Sequence, residues 1–417
     1  MKIKVENVAL VYVELPNANA QQDMYELEEL IATAQGEIKL HCTQKRNSID
    51  ANTVLGKGKL DELKRTIDML DCEIDVVVFS CSLNSTQRAT LTKTLECDVI
   101  DKIDLILDIF ALRATSAEGK KQVELAQLSY NLATKPEGDF SRQGAGIGTR
   151  GPGETKLETN KRLARERMYR LRQELKEIEK HRDLTRKKRQ ENDLFTVALV
   201  GYTNAGKSTM FNRLTSSEVY ADDKLFATLD TTIRKVKLPN GIEILICDTV
   251  GFIKELPHSL LNAFKSTLEE ATKADLLLNV CDVSDENVAK HIQVTEETLA
   301  ELDTTAPIVR VFNKCDKLTQ TTALSDVTEG NVSSIFVSAL TGKNIDVLLE
   351  TVNKYVMSKY ANVTLHVPHG ESAKLLSELN KYSAQCVSVE YLDDYVRIQV
   401  ILSKKYVDIV AKYISFE

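Results

Sequence analysis

The sequence predicts an α/β protein of several domains, and three observations carry that prediction. Gly201-Tyr-Thr-Asn-Ala-Gly-Lys-Ser208 lies between a strand-like run, Phe195-Thr-Val-Ala-Leu-Val200, and a stretch with helical spacing, Thr209-Met-Phe-Asn-Arg-Leu214. Residues 1–115 alternate strand-like and amphipathic runs, the order that folds into a small parallel sheet. Residues 136–154 carry six glycines and two prolines between two helical stretches, a composition that no regular element survives. The expected architecture is a P-loop domain over 193–360, preceded by a small parallel α/β domain over 1–115 and a long helical hairpin over 116–192. A small α+β domain over 361–417 follows.

Composition narrows the class. The 417 residues leave room for two to four ordinary domains, and 43% hydrophobic with 28% charged residues is normal for a globular chain. No apolar run approaches the ~20 residues that span a bilayer. The start, Met1-Lys-Ile-Lys-Val-Glu, does not read as a signal peptide, so a cytoplasmic location is expected. Eight cysteines are scattered with no Cys-x-x-Cys, which suits reduced thiols better than a disulfide frame or a zinc site. The net charge of −7 hides an asymmetry. Residues 142–191 hold 16 Lys+Arg against 8 Asp+Glu, which leaves 38 basic and 53 acidic residues, or −15, for the rest. One basic segment in an acidic chain points to a localised polyanion contact.

In residues 1–115 the strand candidates are 8–15, 37–42 and 74–79, and the amphipathic runs are 22–33, 58–70 and 85–95. Leu55-Gly-Lys-Gly-Lys-Leu60 lacks the spacing of a phosphate loop. It reads as a helix start after a glycine turn, with a nucleic-acid contact by Lys57 and Lys59 as the lesser alternative. Residues 116–134 read as a helix with Val123, Leu125, Leu128 and Leu132 near one face. After the glycine-rich stretch, Ala164, Met168, Leu171, Leu175 and Ile178 step by 4, 3, 4 and 3, a heptad seam. Two helices joined this way form an antiparallel hairpin whose tip would display Arg142 and Arg150. It would serve either to pack domains together or to probe structured RNA. The tail of this second helix, Arg186-Lys-Lys-Arg189, is expected to lead into the next domain as a linker.

The stretch 193–360 carries the nucleotide chemistry. In Gly201-x4-Gly206-Lys207-Ser208 the glycines let backbone N–H groups wrap a phosphate chain. Lys207 would sit on the β- and γ-phosphates and Ser208 would hold Mg²⁺. The strand 242–251 ends in Asp248-Thr-Val-Gly251, where a carboxylate suits Mg²⁺ and a glycine N–H can meet the γ-phosphate. The strand 307–316 ends in Asn313-Lys314-Cys-Asp316. The Asp316 carboxylate can accept from guanine N1–H and the 2-amino group, which adenine cannot offer. Ser338-Ala339-Leu340 closes a third strand and would bring backbone N–H groups to the guanine oxygen. In this order, each at a strand end, the motifs describe a GTPase domain. Between Gly206 and Asp248 the polar stretch 222–232 offers Thr228, Thr231 and Thr232 as a further Mg²⁺ ligand, and spacing does not choose among them. After Gly251 stands Phe252, which cannot orient water, so slow unassisted turnover is expected. In residues 361–417, 363–367 reads as a strand, 371–379 as a helix, and 386–390 with 395–401 as a hairpin.

Four runs together resemble the HflX family of ribosome-associated GTPases: Gly146-Ile-Gly-Thr-Arg-Gly-Pro-Gly-Glu-Thr155, the phosphate loop, Leu225-Phe-Ala-Thr-Leu-Asp230 and Asp248-Thr-Val-Gly-Phe-Ile253. Leu55–Leu60, Leu105-Ile-Leu-Asp-Ile-Phe110 and Val123-Glu-Leu-Ala-Gln-Leu128 are similar to that family's N-terminal runs. The resemblance covers roughly residues 5–360. It implies a cytoplasmic, monomeric GTPase that binds the large (50S) ribosomal subunit and splits stalled or idle ribosomes under stress. The 136–154 loop would reach 23S rRNA near the peptidyl-transferase region. It implies a GTP/GDP contact set of Gly201, Tyr202, Thr203, Asn204, Ala205, Gly206, Lys207, Ser208 and Thr209. To these it adds Phe226, Ala227, Thr228, Leu229 and Asp230, Asp248, Thr249, Val250 and Gly251, and the guanine residues above. It favours Thr228 beside Ser208 and Asp248 for Mg²⁺, and it makes Asn204, Lys207, Thr228 and Gly251 the catalytic set. Asn204 would support a K⁺ ion in place of an arginine finger. Ala145 within a glycine run and Thr231 where proline is common depart from the family pattern.

Overall fold

The computed structural model describes residues 5–16, 19–134, 156–191, 194–215, 226, 231–253, 270–318, 333–382 and 384–414. Two compact units share the chain. The first holds the described residues through Ile178 together with Phe226, and the second holds the remainder from Glu179.

In the first unit, β1 (Glu6–Glu14), α1 (Ala20–Thr33), β2 (Gly36–Lys45), α2 (Lys57–Asp68), β3 (Val76–Phe79), α3 (Ser85–Leu95), β4 (Asp98–Asp101) and α4 (Lys102–Arg113) alternate along the chain. The sheet is wholly parallel, in the order β2-β1-β3-β4. Strand β1 is apolar along most of its length because a central parallel strand is covered on both faces. Ala9, Val11 and Val13 pack with Leu60 and Leu63 of α2 and Leu91 of α3. Val8, Leu10 and Tyr12 are buried on the opposite face, where Tyr12 Oη donates to Asp23 of α1 at 3.3 Å. The edge strand β2 alternates partly covered and exposed residues. Gly56 is the N-cap of α2, so the 55–60 run is a helix start, and Lys59 pairs with Glu62 at 2.8 Å.

The hairpin forms from α5 (Ala117–Thr134) and α6 (Lys156–Glu191). Ala164, Met168 and Leu171 of the heptad seam pack on Leu125, Leu128 and Leu132 of α5. A two-pronged pair from Arg167 to Glu124 (2.6 and 2.7 Å) and Lys121–Glu174 at 2.9 Å set the antiparallel register. Residues 186–189, read from the sequence as the tail of this helix, are helical: α6 runs on to Glu191, since the basic run contains no helix breaker. Arg142 and Arg150 lie outside the described residues.

In the second unit the strands are β5 (Thr196–Val200), β6 (Thr232–Lys237), β7 (Glu243–Asp248), β8 (Leu276–Asp282), β9 (Ile308–Asn313) and β10 (Ser334–Phe336). Their order is β10-β9-β8-β5-β7-β6, parallel except for β6 against β7. The helices are α7 (Lys207–Thr215), α8 (Val288–Glu301) and α9 (Ile345–Lys359). A three-stranded antiparallel sheet follows, β11 (Tyr360–Val367), β13 (Val396–Ser403) and β12 (Gln385–Tyr391) in that order, with α10 (His369–Lys381). Leu375 and Leu379 of α10 cover Leu365, Val396, Ile398 and Val400. Tyr360 and Ile401 belong instead to the core of the six-stranded sheet, so the two sheets share apolar contacts. No helix among the described residues is long and apolar enough to cross a membrane.

Candidate nucleotide-binding site

The loops that leave the carboxyl ends of β5, β7, β9 and β10 gather on one side of the six-stranded sheet, where open α/β sheets place their ligands. The first loop needs its glycines. Gly201 has φ +141°, and a Cβ there would stand 2.2 Å from the carbonyl oxygen of Val280 in β8. Gly206 has φ +91°, and a Cβ would meet the Asn313 side chain at 2.3 Å. Between them Asn204 takes a left-handed φ of +58°, a conformation asparagine tolerates better than most residues. The loop then runs into α7, whose first turn offers unpaired N–H groups to an anion.

Lys207 is buried and donates to the carbonyls of Gly201 at 3.1 Å and Tyr202 at 2.6 Å. Burial pulls its ammonium down to about 8, against the opposing pull of Asp248. Ser208 Oγ donates to the fully buried Asp248 at 2.8 Å. A hydroxyl and a carboxylate side by side are the oxygen donors a hard cation such as Mg²⁺ takes. Among the described residues no cluster of three or more His, Cys, Asp or Glu could hold a metal. A Mg²⁺ here would need further ligands beside Ser208 and Asp248.

The segment after Asp248 zips onto the phosphate loop. Thr203 N donates to Phe252 O at 2.8 Å, and Phe252 N donates to Gly201 O at 3.1 Å. Gly251 sits so close that a Cβ would lie 2.9 Å from Lys207 Nζ and from Thr203 Cα. Phe252 is buried, and Thr249 spends its hydroxyl on Leu199 O at 2.7 Å, so the latter side chain serves the sheet. Val250 is buried as well.

Asn313 joins the phosphate loop to the third loop. Its amide donates to Ala205 O at 2.9 Å, and its oxygen accepts from Ala339 N at 2.9 Å. Lys314, at φ +61°, pairs with Asp282 at 2.7 Å. Asp316 is exposed, and a hydrogen bond from the buried Ser338 holds its carboxyl below the usual range, keeping it an acceptor. Strand β10 ends at Phe336, so Ser338, Ala339 and Leu340 lie in the turn after it, not within the strand as read from the sequence.

Of the expected residues, the structure thus brings together Gly201 through Ser208, Asp248, Gly251, Asn313, Lys314, Asp316 and the 338–340 turn. Phe226 is grouped with the first unit, where it is buried edge-on against Phe110 of α4 with ring centroids 4.7 Å apart. Ala227, Thr228, Leu229 and Asp230 lie outside the described residues. Sequence reasoning missed three neighbours: Asp282, the partner of Lys314; His291, stacked on Tyr202 at 3.9 Å; and Arg213, which reaches the 338–340 turn. The apolar run that became β8 pointed to Asp282, whereas a single histidine or arginine on a helix carries no local signature.

Residues 21–111 match the family described as GTP-binding GTPase N-terminal, 113–189 the GTP-binding GTPase Middle Region, and 196–314 the 50S ribosome-binding GTPase family. The chain is 44% identical to the GTPase HflX of Caldanaerobacter subterraneus subsp. tengcongensis, over 87% of this chain and 83% of that one. It is 40% identical to the GTPase HflX of Escherichia coli, over 93% and 91%. A GTP-binding protein from Sulfolobus solfataricus, solved with GDP, covers 84% of this chain and 99% of its own at 24% identity, with a TM-score of 0.45. With three family matches in series and relatives this similar along most of their length, the chain belongs to the HflX family of GTPases.

Proposed function

We propose that this GTPase binds the large (50S) ribosomal subunit and, in its GTP state, splits stalled or idle 70S ribosomes under stress. The observation that carries the reading is one chain holding both the assembled nucleotide loops and a basic helical hairpin, in a family with a part described as 50S ribosome-binding. The 136–154 loop and the hairpin would meet 23S rRNA near the peptidyl-transferase region, the protein acting as a cytoplasmic monomer. A signalling switch that binds a protein effector, with the coiled coil as dimer or partner surface, is the other reading of the heptad seam. The hairpin spends Ala164, Met168 and Leu171 on its own α5, which weighs against it.

In this reading the N–H groups of the 201–208 loop hold the β- and γ-phosphates, and Lys207 turns from its carbonyl partners to the phosphate oxygens. Ser208, Asp248 and Thr228 hold Mg²⁺, which screens the charge that develops on the phosphate chain. Gly251 offers its N–H to the γ-phosphate. Phe252 is committed to the core, so water positioning falls to other groups. Asn204, half-buried at the shoulder of the loop, supports a K⁺ ion there. Hydrolysis is slow alone and faster on the ribosome.

Sucrose-gradient sedimentation of 70S ribosomes with the protein and a non-hydrolysable GTP analogue tests the reading. Free subunits, absent with GDP, are expected. Co-migration with large subunits without splitting would point instead to a large-subunit assembly role, and absence of co-migration at low salt would overturn ribosome binding.

A further inference from the structure

The turn expected to read the guanine oxygen is held from outside by a residue that no motif contains. Arg213 is on α7, two turns after Lys207, and its guanidinium spans the 338–340 turn. Its Nε donates to Ala339 O at 2.9 Å, and an Nη donates to Leu340 O. Gly342 lies beside it at φ +87°, a conformation that favours glycine, and a Cβ there would make only ordinary contact with the guanidinium at 3.8 Å.

The other groups of the turn are spoken for. Ser338 N donates to Lys343 O at 3.1 Å, Ala339 N to Asn313 Oδ1 at 2.9 Å, and Thr341 N to Ser338 Oγ at 3.1 Å. Gly342 N donates to Ser338 O at 2.8 Å. Among the described residues the N–H of Leu340 is the one in this turn with no acceptor. In a trans peptide the C=O of one residue and the N–H of the next point in opposite directions. Gripping Ala339 O toward α7 therefore turns the Leu340 N–H the other way.

We propose that Arg213 is a positioning residue for base specificity: its fork on two carbonyls aims the Leu340 N–H at the 6-oxo group of guanine. A guanidinium suits this work because its donors are fixed in one plane, which a lysine ammonium cannot match. The proposal rests on the reading that Asp316 and this turn hold the base. Because α7 begins at the phosphate-binding Lys207, one rigid helix sets the distance between phosphate and base recognition.

The test compares GDP with 6-thio-GDP, which keeps N1–H and the 2-amino group but replaces the oxygen with a poor acceptor. The wild-type chain is expected to bind GDP the more tightly. In R213M the GDP to 6-thio-GDP affinity ratio should fall about tenfold, the worth of one well-aimed hydrogen bond with its support removed. An equal loss for both nucleotides, or no loss, would overturn the proposal, since a merely structural arginine weakens both alike. D316N separates the two layers. If it leaves the preference for guanine over xanthine nucleotides intact, the base-site assignment itself fails. If it shifts that preference while R213M leaves the thio ratio unchanged, only the role of Arg213 falls.

Discussion

Two parallel sheets in this chain end in loops of opposite character. At the six-stranded sheet, Gly201, Asn204, Gly206 and Lys314 take left-handed backbone conformations, and the loops keep N–H groups available to a ligand. At the four-stranded sheet, a carboxylate of the chain itself takes the place an anion would occupy. Asp101, fully buried at the end of β4, accepts from Ile103 N at 3.1 Å and Asp104 N at 3.0 Å, capping α4. It also accepts from Leu83 N at 3.0 Å, Arg88 at 3.2 Å and Tyr130 Oη at 2.6 Å. Burial, with the negative charge of Asp101 next in weight, pushes the Tyr130 phenol well above its ordinary range, so it stays a donor. The lesson is that strand order does not make a ligand site. A parallel sheet's carboxyl edge binds when its donors are left uncommitted, and it becomes a structural joint when an internal acid commits them.

Removing the internal acid gives the largest expected effect. Asp101→Ala leaves the buried Arg88 with one carboxylate, Asp104, beside the Val99 carbonyl, and uncaps α4. It should cost about 3–5 kcal/mol in thermal or denaturant unfolding. If the comparison holds, GDP affinity of the folded fraction stays within about twofold, because the lost bonds belong to the other sheet. A large drop in affinity would mean the two edges are not independent. Asn313→Ala is the counterpart at the nucleotide edge. It frees Ala205 O and Ala339 N at once, and should weaken nucleotide binding by about 2–3 kcal/mol, roughly 30- to 150-fold, with a smaller change in unfolding. The smallest effect is the most discriminating. Thr203 carries a buried hydroxyl with no hydrogen-bond partner among the described residues. Thr203→Val should be neutral or stabilise by about 0.5–1 kcal/mol, since an unpartnered hydroxyl is replaced by its apolar isostere. Weaker nucleotide binding in that variant would show that the hydroxyl waits for the ligand.

What was legible in the sequence follows the same division. Gly201, Gly206, Asp248, Asn313 and Asp316 declare themselves because backbone sterics or ligand chemistry forces a residue type at a fixed spacing. The parallel sheet was legible from the apolar runs that became β1 and β3 and from the alternating run that became β2. Strand β4 was not, because four residues framed by aspartates look like a turn. Helix α4 was missed for a different reason: from Ile103 to Phe110 it is buried nearly all round, so it has no polar face to mark its period. Arg213 depends on a turn 126 residues away in the chain, and only the fold brings them together. The basic tip and Thr228 lie outside the described residues, so their roles rest on the sequence reading.

The joint between the six-stranded sheet and the last three strands bears on how such a chain can be rebuilt. Gln385 of β12 donates to Asn240 O at 2.6 Å, and its side chain fills the space a Cβ on Gly241 would need. Asn240 in turn donates to Asn353 of α9 at 2.5 Å. That grip closes on the tight turn joining β6 to β7, the two strands that separate the threonine-bearing stretch from Asp248. With Tyr360 and Ile401 also filling the neighbouring core, a foreign tail grafted after α9 would inherit a gap and leave the Asn240 carbonyl without its Gln385 donor. The final strands are thus not an interchangeable accessory, and recombination between distant relatives should succeed only when the tail travels with the turn it holds.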